Sequence, residues 1–339
     1  MIECVFTLDY EIYGDGTGTL KELVYDPAER LRTIFAASNV RFVAFVEVAE
    51  LEKIEACGTD PSIDLVKRQI RNFHREGFEI GLHLHPQWSN ARHEGGRWVL
   101  DYNEYSLCTA PRARVAETVA RSLRYLRHAV DHASFTPLSF RAGSWLFQPT
   151  QPLAGVLFGN GIRIDSSVFK GGLLHNYSLD YRPALKNGYY WAFSSDVNEA
   201  DPKGEMLELP IYTELVPSWK MATSKRVVAR NSFGIAGPDT DKLSRIRDFM
   251  RFRYPLKLDF CRMSLGELTS MMTGVIAEDR ASPEVYRPVV AIGHTKDFTD
   301  PHAIESSLSF LRASGIRVVT FDAVYSRLSS SDKQALYAV

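Results

Sequence analysis

The sequence predicts an α/β fold with mostly parallel strands. Short runs rich in β-branched and aromatic residues alternate with longer stretches of helical periodicity, which is the pattern of strands followed by crossover helices. Polar clusters follow several predicted strands, at the ends where parallel sheets place their functional sites. The chain has 339 residues, enough for one large barrel with extensions.

The N-terminal part of the chain contains the clearest elements. Asp26 followed by Pro27 is typical of the start of a helix. A second helix is predicted at 62–75, with Gly77 just beyond its last turn. Runs of β-branched and aromatic residues predict strands around these helices, at 2–8, 41–46 and 78–85.

The remaining elements are predicted by the same criteria. The longest helical stretch covers 111–130, where apolar residues recur at helical spacing. Further short strands are predicted at 138–140, 162–164, 207–209, 289–292 and 317–321. Between 170 and 259 the alternation weakens, so this stretch is predicted as an insertion on a single barrel domain of residues 1–328, with a tail at 329–339.

Composition and charge exclude several classes of protein. Hydrophobic residues make up 45% of the chain and charged residues 24%, so the chain can bury a core and is not a disordered protein. A net charge of −1 provides no overall field to attract nucleic acid or an anionic membrane. The four cysteines lie far apart, which argues against a zinc ribbon or a disulfide framework. No segment approaches the ~20 apolar residues of a membrane span, and the first residues lack the basic start of a signal peptide, so a cytoplasmic protein is expected.

One local stretch departs from this charge balance. Residues 241–257 carry six basic side chains against two acidic ones. The stretch is either a solvated helix face or a patch that holds a phosphate group of the substrate, because arginine forks suit phosphate. The sequence leaves both interpretations open.

Three polar clusters contain residue types that perform chemistry. Asp9 and Glu11 are two positions apart and point the same way from an extended chain, and so do His83 and His85. Neutral imidazoles are common zinc ligands, so the histidine pair can bind one ion together. His294 follows a third strand and is able to protonate a leaving group near neutral pH. Each cluster can also be a cap or a structural hydrogen-bonding group, but their occurrence at three strand ends favours a functional site.

Other common catalytic motifs do not occur in the sequence. There is no phosphate-binding loop of the G-x-x-x-x-G-K-[ST] type and no G-x-S-x-G nucleophile elbow. The glycine-rich run at 14–18 lacks the third glycine of a dinucleotide-binding turn, because Thr19 occupies that position. These absences argue against nucleotide hydrolysis and against a serine hydrolase of the common α/β type.

The order of the motifs resembles that of the polysaccharide deacetylase family, also called the NodB-homology or carbohydrate esterase family 4 group. The segments that carry the resemblance are 6–9, 79–83, 140–145, 164–167, 208–210 and 293–294. The closing region from 298 to 320 is also similar, so the resemblance covers residues 1 to about 326 apart from the middle insertion. The amino-acid sequence around His83 and Trp88 is most similar to that of divergent family members from bacterial lipopolysaccharide and surface-polysaccharide biosynthesis clusters.

The resemblance implies a distorted (β/α) barrel and a role for each matching residue. Asp9 matches the family's catalytic base, Arg141 the arginine that holds this base, and His294 the catalytic acid. His83 matches the first metal-binding histidine. The residues predicted to contact the substrate are Trp88, Trp145 and Asp165.

Two positions depart from the family's pattern. The family usually has a second aspartate directly after the base, where this chain has Tyr10, and a second histidine four residues after the first, where it has Gln87. Glu11 and His85 are predicted to replace these two metal ligands, because each lies within two residues of the expected position.

The predicted function is the metal-dependent removal of an N-acyl group, N-acetyl above all, from an amino sugar in surface polysaccharide biosynthesis. The expected cofactor is a divalent ion, with zinc as the first choice. The substrate is expected to be a precursor, nucleotide-linked or lipid-linked, and the oligomeric state is left open. Two alternatives remain: a deformylase that acts on a formamido sugar, and a non-catalytic sugar-binding protein that uses the aromatic residues at 189–193 as a platform.

Overall fold

A curled sheet forms the centre of the computed structural model, which describes residues 1–217, 220 and 253–330. The strands are, in chain order, β1 (Ile2–Tyr10), β2 (Val43–Glu47), β3 (Glu79–Leu84), β4 (Arg92–Glu94), β5 (Arg97–Val99), β6 (Ser139–Ala142), β7 (Ile164–Asp165), β8 (Leu173–Leu174), β9 (Leu179–Asp180), β10 (Trp191–Phe193), β11 (Met206–Glu208), β12 (Thr213–Pro217), β13 (Arg253–Lys257), β14 (Arg287–His294) and β15 (Arg317–Val318). The α-helices are α1 (Asp26–Ala37), α2 (Val48–Cys57), α3 (Ile63–Arg75), α4 (Arg112–Val130), α5 (Leu153–Gly159), α6 (Leu265–Ala281), α7 (Pro301–Ala313) and α8 (Phe321–Ser330).

The main sheet runs in the order β10-β11-β7-β6-β3-β2-β1-β14, with β15 beside β1. All its pairs are parallel except β10 with β11. The sheet curls because Ile211, just beyond β11, makes parallel bridges to Phe169 and to Val290 of β14. The architecture is therefore a distorted (β/α) barrel, as predicted.

Burial explains why the first strand is central. Every residue of β1 after Ile2 is buried, as expected for a parallel strand covered on both faces. The helices cover the sheet with apolar stripes; in α3 the buried apolar residues are Val66, Ile70 and Phe73. Because the strands are parallel, their carboxyl ends meet at one rim of the barrel, and this rim carries the polar clusters.

The predicted elements agree with the structure to within a few residues where the pattern is strong. The helices predicted at 62–75 and 111–130 correspond to α3 and α4. The stretch 170–259 differs from a simple insertion, because β10 and β11 within it extend the main sheet. Most of the basic stretch at 241–257 and nearly all of the tail at 329–339 lie outside the described residues.

None of the helices within residues 1–217 and 253–330 has the length and apolar character needed to cross a membrane.

Candidate active site

Asp9 and Arg141 form a buried ion pair at the floor of a pocket on the carboxyl rim of the barrel. Arg141 lies on β6, and its Nη1 donates to Oδ1 of Asp9 (2.6 Å), its Nη2 to Oγ1 of Thr7 (2.9 Å) and its Nε to the carbonyl of Ser166 (2.9 Å). Both side chains of the pair are buried. Burial is the largest influence and would raise the pKa of Asp9, but the charges of Arg141, His83 and His294 together outweigh it and lower this pKa below the usual value. Asp9 is therefore an ionised carboxylate that Arg141 holds in place.

Glu11, His83 and His85 bring three ligand atoms together beside Asp9. Glu11 follows β1, whereas His83 lies on β3 and His85 directly after it. Oε2 of Glu11 is 3.5 Å from Nε2 of His83 and 3.0 Å from Nε2 of His85. The three ligand atoms lie within 4.8 Å of one another, which suits a single metal ion. The alternation of side chains along an extended chain explains why Asp9 and Glu11 share one face.

The surroundings of His83 fit a metal ligand. Its Nδ1 lies 2.8 Å from the backbone carbonyl oxygen of Arg141, which can only accept, so Nδ1 carries the proton. In the neutral ring its Nε2 then keeps a lone pair; this atom is buried and has no hydrogen-bond partner among the residues that the structure describes. A buried polar atom without a partner is unfavourable, and an ion bound there would satisfy it.

His85 is positioned by its neighbours on several sides. Its backbone N–H donates to Oε2 of Glu47 (2.7 Å), and its ring packs so closely on Gly143 that a Cβ there would lie 2.7 Å from the imidazole. Its Nδ1 lies 3.1 Å from the side-chain nitrogen of Gln87. If Nε2 were a metal ligand, Nδ1 would carry the proton, and the side-chain amide of Gln87 would be the group able to accept from it through its oxygen.

His294 lies opposite Asp9 in the register of β14 and β1. Its Nε2 is 3.4 Å from Oδ2 of Asp9, and its Nδ1 is 3.5 Å from Oδ2 of Asp297. The Nη2 of Arg262 binds the same oxygen of Asp297 at 2.7 Å. Burial lowers the pKa of His294 to about 4, even though both carboxylates act in the opposite direction. The ring is therefore neutral at rest, whereas the sequence analysis expected a group able to carry a proton near neutral pH.

Aromatic side chains form much of the pocket wall. Ser144 and Trp145 both adopt left-handed backbone conformations, with φ of 53° and 61°, which are strained for residues other than glycine. Trp145 lines the pocket, and Nζ of Lys257 lies 3.3 Å from the centre of a ring of its indole. The aromatic residues on the wall are Tyr13, Tyr102, Tyr105, Trp145 and Tyr177.

The structure brings most of the predicted site residues into this one cluster. Arg141 lies beneath the floor and contacts Asp9. The predicted residues that line the pocket are Asp9, Glu11, His83, His85, Trp145 and His294. Tyr10, at the position of the family's second aspartate, points away from the pocket and donates to Oε1 of Gln69 (2.7 Å).

Two residues predicted to contact the substrate lie elsewhere. Trp88 is 1% exposed and packs edge-on against Trp98, with ring centres 5.0 Å apart. Asp165 is fully buried, and its two carboxylate oxygens accept from Ser167 (2.7 and 3.1 Å). Their burial means that they support the fold around the pocket and do not line it.

The aromatic platform at 189–193 is also not formed as the alternative function requires. Trp191 and Phe193 belong to the core, with 4% and 0% exposure. Tyr189 stacks on Tyr212 at a second cavity, away from the cluster on the carboxyl rim. The aromatic side chains that line the main pocket come from other parts of the chain.

Several pocket residues were not identified from the sequence. Lys296 and Asp297 lie two and three residues after His294, so their position at a strand end was an available signal. Arg262 and the tyrosines come from loops whose path depends on the whole fold. The wall tyrosines have no motif of their own, and only the structure brings them together.

Comparisons with known proteins establish the fold. No family model and no curated protein sequence matches the chain. Among solved structures, it is similar to a protein from Mycobacterium smegmatis assigned to the polysaccharide deacetylases, with a TM-score of 0.55, 14% identity and coverage of 97% of this chain and 90% of the other. A protein from Pseudomonas aeruginosa PAO1 with the same assignment has a TM-score of 0.55, 12% identity and coverage of 98% and 92%.

A third similar structure is the PuuE allantoinase, with a TM-score of 0.54, 10% identity and coverage of 98% of this chain and 91% of the other. The chain therefore has the distorted barrel fold of the NodB-homology deacetylases. The same fold accommodates more than one named activity, so the function has to be argued from the site.

Proposed function

We propose that this protein is a metal-dependent amide hydrolase that removes an N-acyl group, N-acetyl in the first instance, from an amino sugar. The observation that carries the proposal is the meeting of Asp9 and His294, on paired strands, beside the ligand set of Glu11, His83 and His85. A base, a proton donor and a candidate metal centre are the groups that hydrolysis of an unreactive amide needs. The likeness to structures assigned to deacetylases agrees with this reaction class.

Each residue of the cluster has a distinct role in the proposal. Asp9 accepts a proton from the attacking water, and the contact with Arg141 keeps its carboxylate ionised and oriented. His294 is the group that delivers a proton to the departing amine. Because its ring is neutral at rest, it must take up a proton during the reaction, and Asp9 at 3.4 Å is the adjacent source.

Glu11, His83 and His85 would hold the divalent ion, for which zinc is the expected choice because two of the ligands are imidazoles. Such an ion supplies Lewis-acid polarisation of the amide carbonyl and lowers the pKa of bound water. The aromatic wall supports a saccharide substrate, since tyrosine and tryptophan faces suit the apolar faces of sugar rings. A role in surface polysaccharide biosynthesis, a cytoplasmic location and a nucleotide- or lipid-linked substrate are parts of the proposal that rest on the sequence alone.

Replacing Asp9 by Asn tests the proposal most directly. The substrates are a panel of N-acetyl and N-formyl amino sugars, free and nucleotide-linked, with release of acetate or formate measured separately. Asp9→Asn should reduce kcat by about 10²–10⁴-fold because the amide cannot accept the proton of water. Metal content, measured by elemental mass spectrometry, should stay at the wild-type level in this variant and be lost in His83→Ala.

Asp15→Asn is the matched control, because Asp15 lines the same pocket but lies at its exposed mouth. Its turnover should stay within about threefold of the wild-type value, a change of less than ~1 kcal/mol. Full activity in Asp9→Asn would show that Asp9 is not the catalytic base. Formate release without acetate release would identify the deformylase alternative.

A further inference from the structure

A buried lysine lies within the candidate metal centre. Lys296 follows His294 by two residues, and its side chain is 10% exposed. Its Nζ donates to Oε1 of Glu11 (2.8 Å) and to the backbone carbonyl of Ile12 (2.8 Å). The ammonium is therefore fixed at two points and lies directly against a predicted metal ligand.

This contact divides the two oxygens of Glu11 between different partners. Oε1 is occupied by Lys296, whereas Oε2 faces Nε2 of His83 at 3.5 Å and Nε2 of His85 at 3.0 Å. An ion placed between the imidazoles meets Oε2. A second bond from the same carboxylate would place the ion on the oxygen that already accepts from the ammonium, so two cations would share one oxygen.

The charges of the floor are already balanced without an ion. Arg141 contacts Asp9 at 2.6 Å and Lys296 contacts Glu11 at 2.8 Å, so each carboxylate has its own cation. A divalent ion bound by Glu11, His83 and His85 therefore adds two positive charges next to a fixed ammonium. Like charges repel more strongly here than in bulk water, because the side chains of Lys296 and Glu11 are both largely buried.

We propose that Lys296 sets the metal affinity of this centre: it restricts Glu11 to coordination through a single oxygen and weakens the binding of divalent ions by its charge. The inference rests on the metal site of the proposed function and adds a residue that no motif assigns. Lys296 is a positioning residue in this account, since it acts through Glu11.

The test is a zinc titration of wild-type protein and of two Lys296 variants at pH 8, with a competing chelator of known affinity. Lys296→Gln keeps a donor near Glu11 but removes the charge, and Lys296→Arg keeps the charge. Lys296→Gln should bind zinc at least tenfold more tightly than the wild type, and Lys296→Arg within about threefold of it. Thermal unfolding of the metal-free proteins verifies that each variant folds.

Equal or weaker zinc binding by a folded Lys296→Gln overturns the inference, as does an absence of zinc binding in all three proteins. A structure of the zinc-loaded wild type provides a measurement that needs no variant. Coordination by Oε2 alone, with Lys296 still on Oε1, supports the inference; coordination by both oxygens overturns it. The proposed function fails separately, through an absence of hydrolysis by wild-type protein that does bind zinc, so the two failures can be told apart.

Discussion

At the scale of single residues, the guanidinium of Arg141 is the group on which the floor depends. It is fully buried and makes side-chain or backbone contacts with Asp9, Thr7 and Ser166. Its Cζ also lies 4.2 Å from the ring centre of Phe45, which covers one face of the guanidinium. Removal of one member of a buried ion pair costs far more than the pair itself contributes, because the other charge is left in a site that excludes water.

Arg141→Gln should therefore lower the free energy of unfolding by about 3–5 kcal/mol, measured by urea denaturation at neutral pH. The double variant Asp9→Asn, Arg141→Gln should recover part of this loss, because no unpaired carboxylate remains. Strictly additive losses in the two single variants and the double variant would show that the pair is not coupled.

The residue scale is also where the sequence was most informative. Asp9 with Glu11, and His83 with His85, could be predicted as pairs on one face because the period of an extended strand is two. The role of Lys296 could not be predicted in the same way. Its contact with Glu11 joins residues 285 positions apart, and only the pairing of β1 with β14 brings them together.

At the scale of elements, two neighbouring strands each place a carboxyl side chain at the same buried position. Asp165 of β7 lies opposite Glu208 of β11, and both are fully buried. Burial raises the pKa of Asp165 to about 6, and burial together with the charge of Asp165 raises the pKa of Glu208 well above its usual value. The pair therefore holds a proton at neutral pH, with Glu208 as the protonated partner.

This pair predicts a specific dependence of stability on pH. The folded protein binds a proton that an unfolded carboxyl releases above about pH 4.3, so stability is greatest below that value and falls as pH rises towards the higher pKa of the folded pair. Glu208→Gln mimics the protonated acid: its oxygen can still accept from Val168 N–H, and its amide can donate to Asp165.

Glu208→Gln should match the wild type near pH 4 and become more stable than it as pH rises, by up to about 1.4 kcal/mol per pH unit within the window. Urea unfolding between pH 4 and 9 measures the difference. Glu205→Gln, an exposed neighbour, serves as the control and should leave the pH profile unchanged. A difference between Glu208→Gln and the wild type that does not vary with pH would mean that the pair holds no proton.

The elements also show which sequence signals are sufficient. The regular apolar spacing of α3 and α4 was enough to predict both helices. The helix α6 was not predicted, although Ser264 and Glu267 form a capping box at its start, and this signal is visible in the sequence. The short strands β7 and β11 were predicted to within a few residues, whereas β8 and β9 were not, because two residues do not establish a period.

At the scale of the whole molecule, the pocket wall is assembled from distant parts of the chain. Tyr105 and Tyr177 come from different loops and meet with ring centres 5.1 Å apart. The alternative platform at 189–193 was inferred from a local aromatic run, yet Trp191 and Phe193 of that run are buried in the core. A local run of aromatic residues therefore does not predict which side chains line the pocket. The closure of the sheet determines which rings face the carboxyl rim.

The wall predicts how substrate binding depends on these two tyrosines. If they form a face for the sugar ring, Tyr105→Leu and Tyr177→Leu should each raise KM several-fold, about 1 kcal/mol, with little change in kcat, because neither ring touches Asp9 or His294 in the cluster described above. The effects should be less than additive in the double variant, since each ring supports the other.

Tyr190→Leu is the matched control, because Tyr190 packs against Tyr286 in a separate hydrophobic cluster and does not line the pocket. A fall in kcat at constant KM in the wall variants would instead place the tyrosines in the reaction itself, and unchanged kinetics would move the sugar to another face of the pocket.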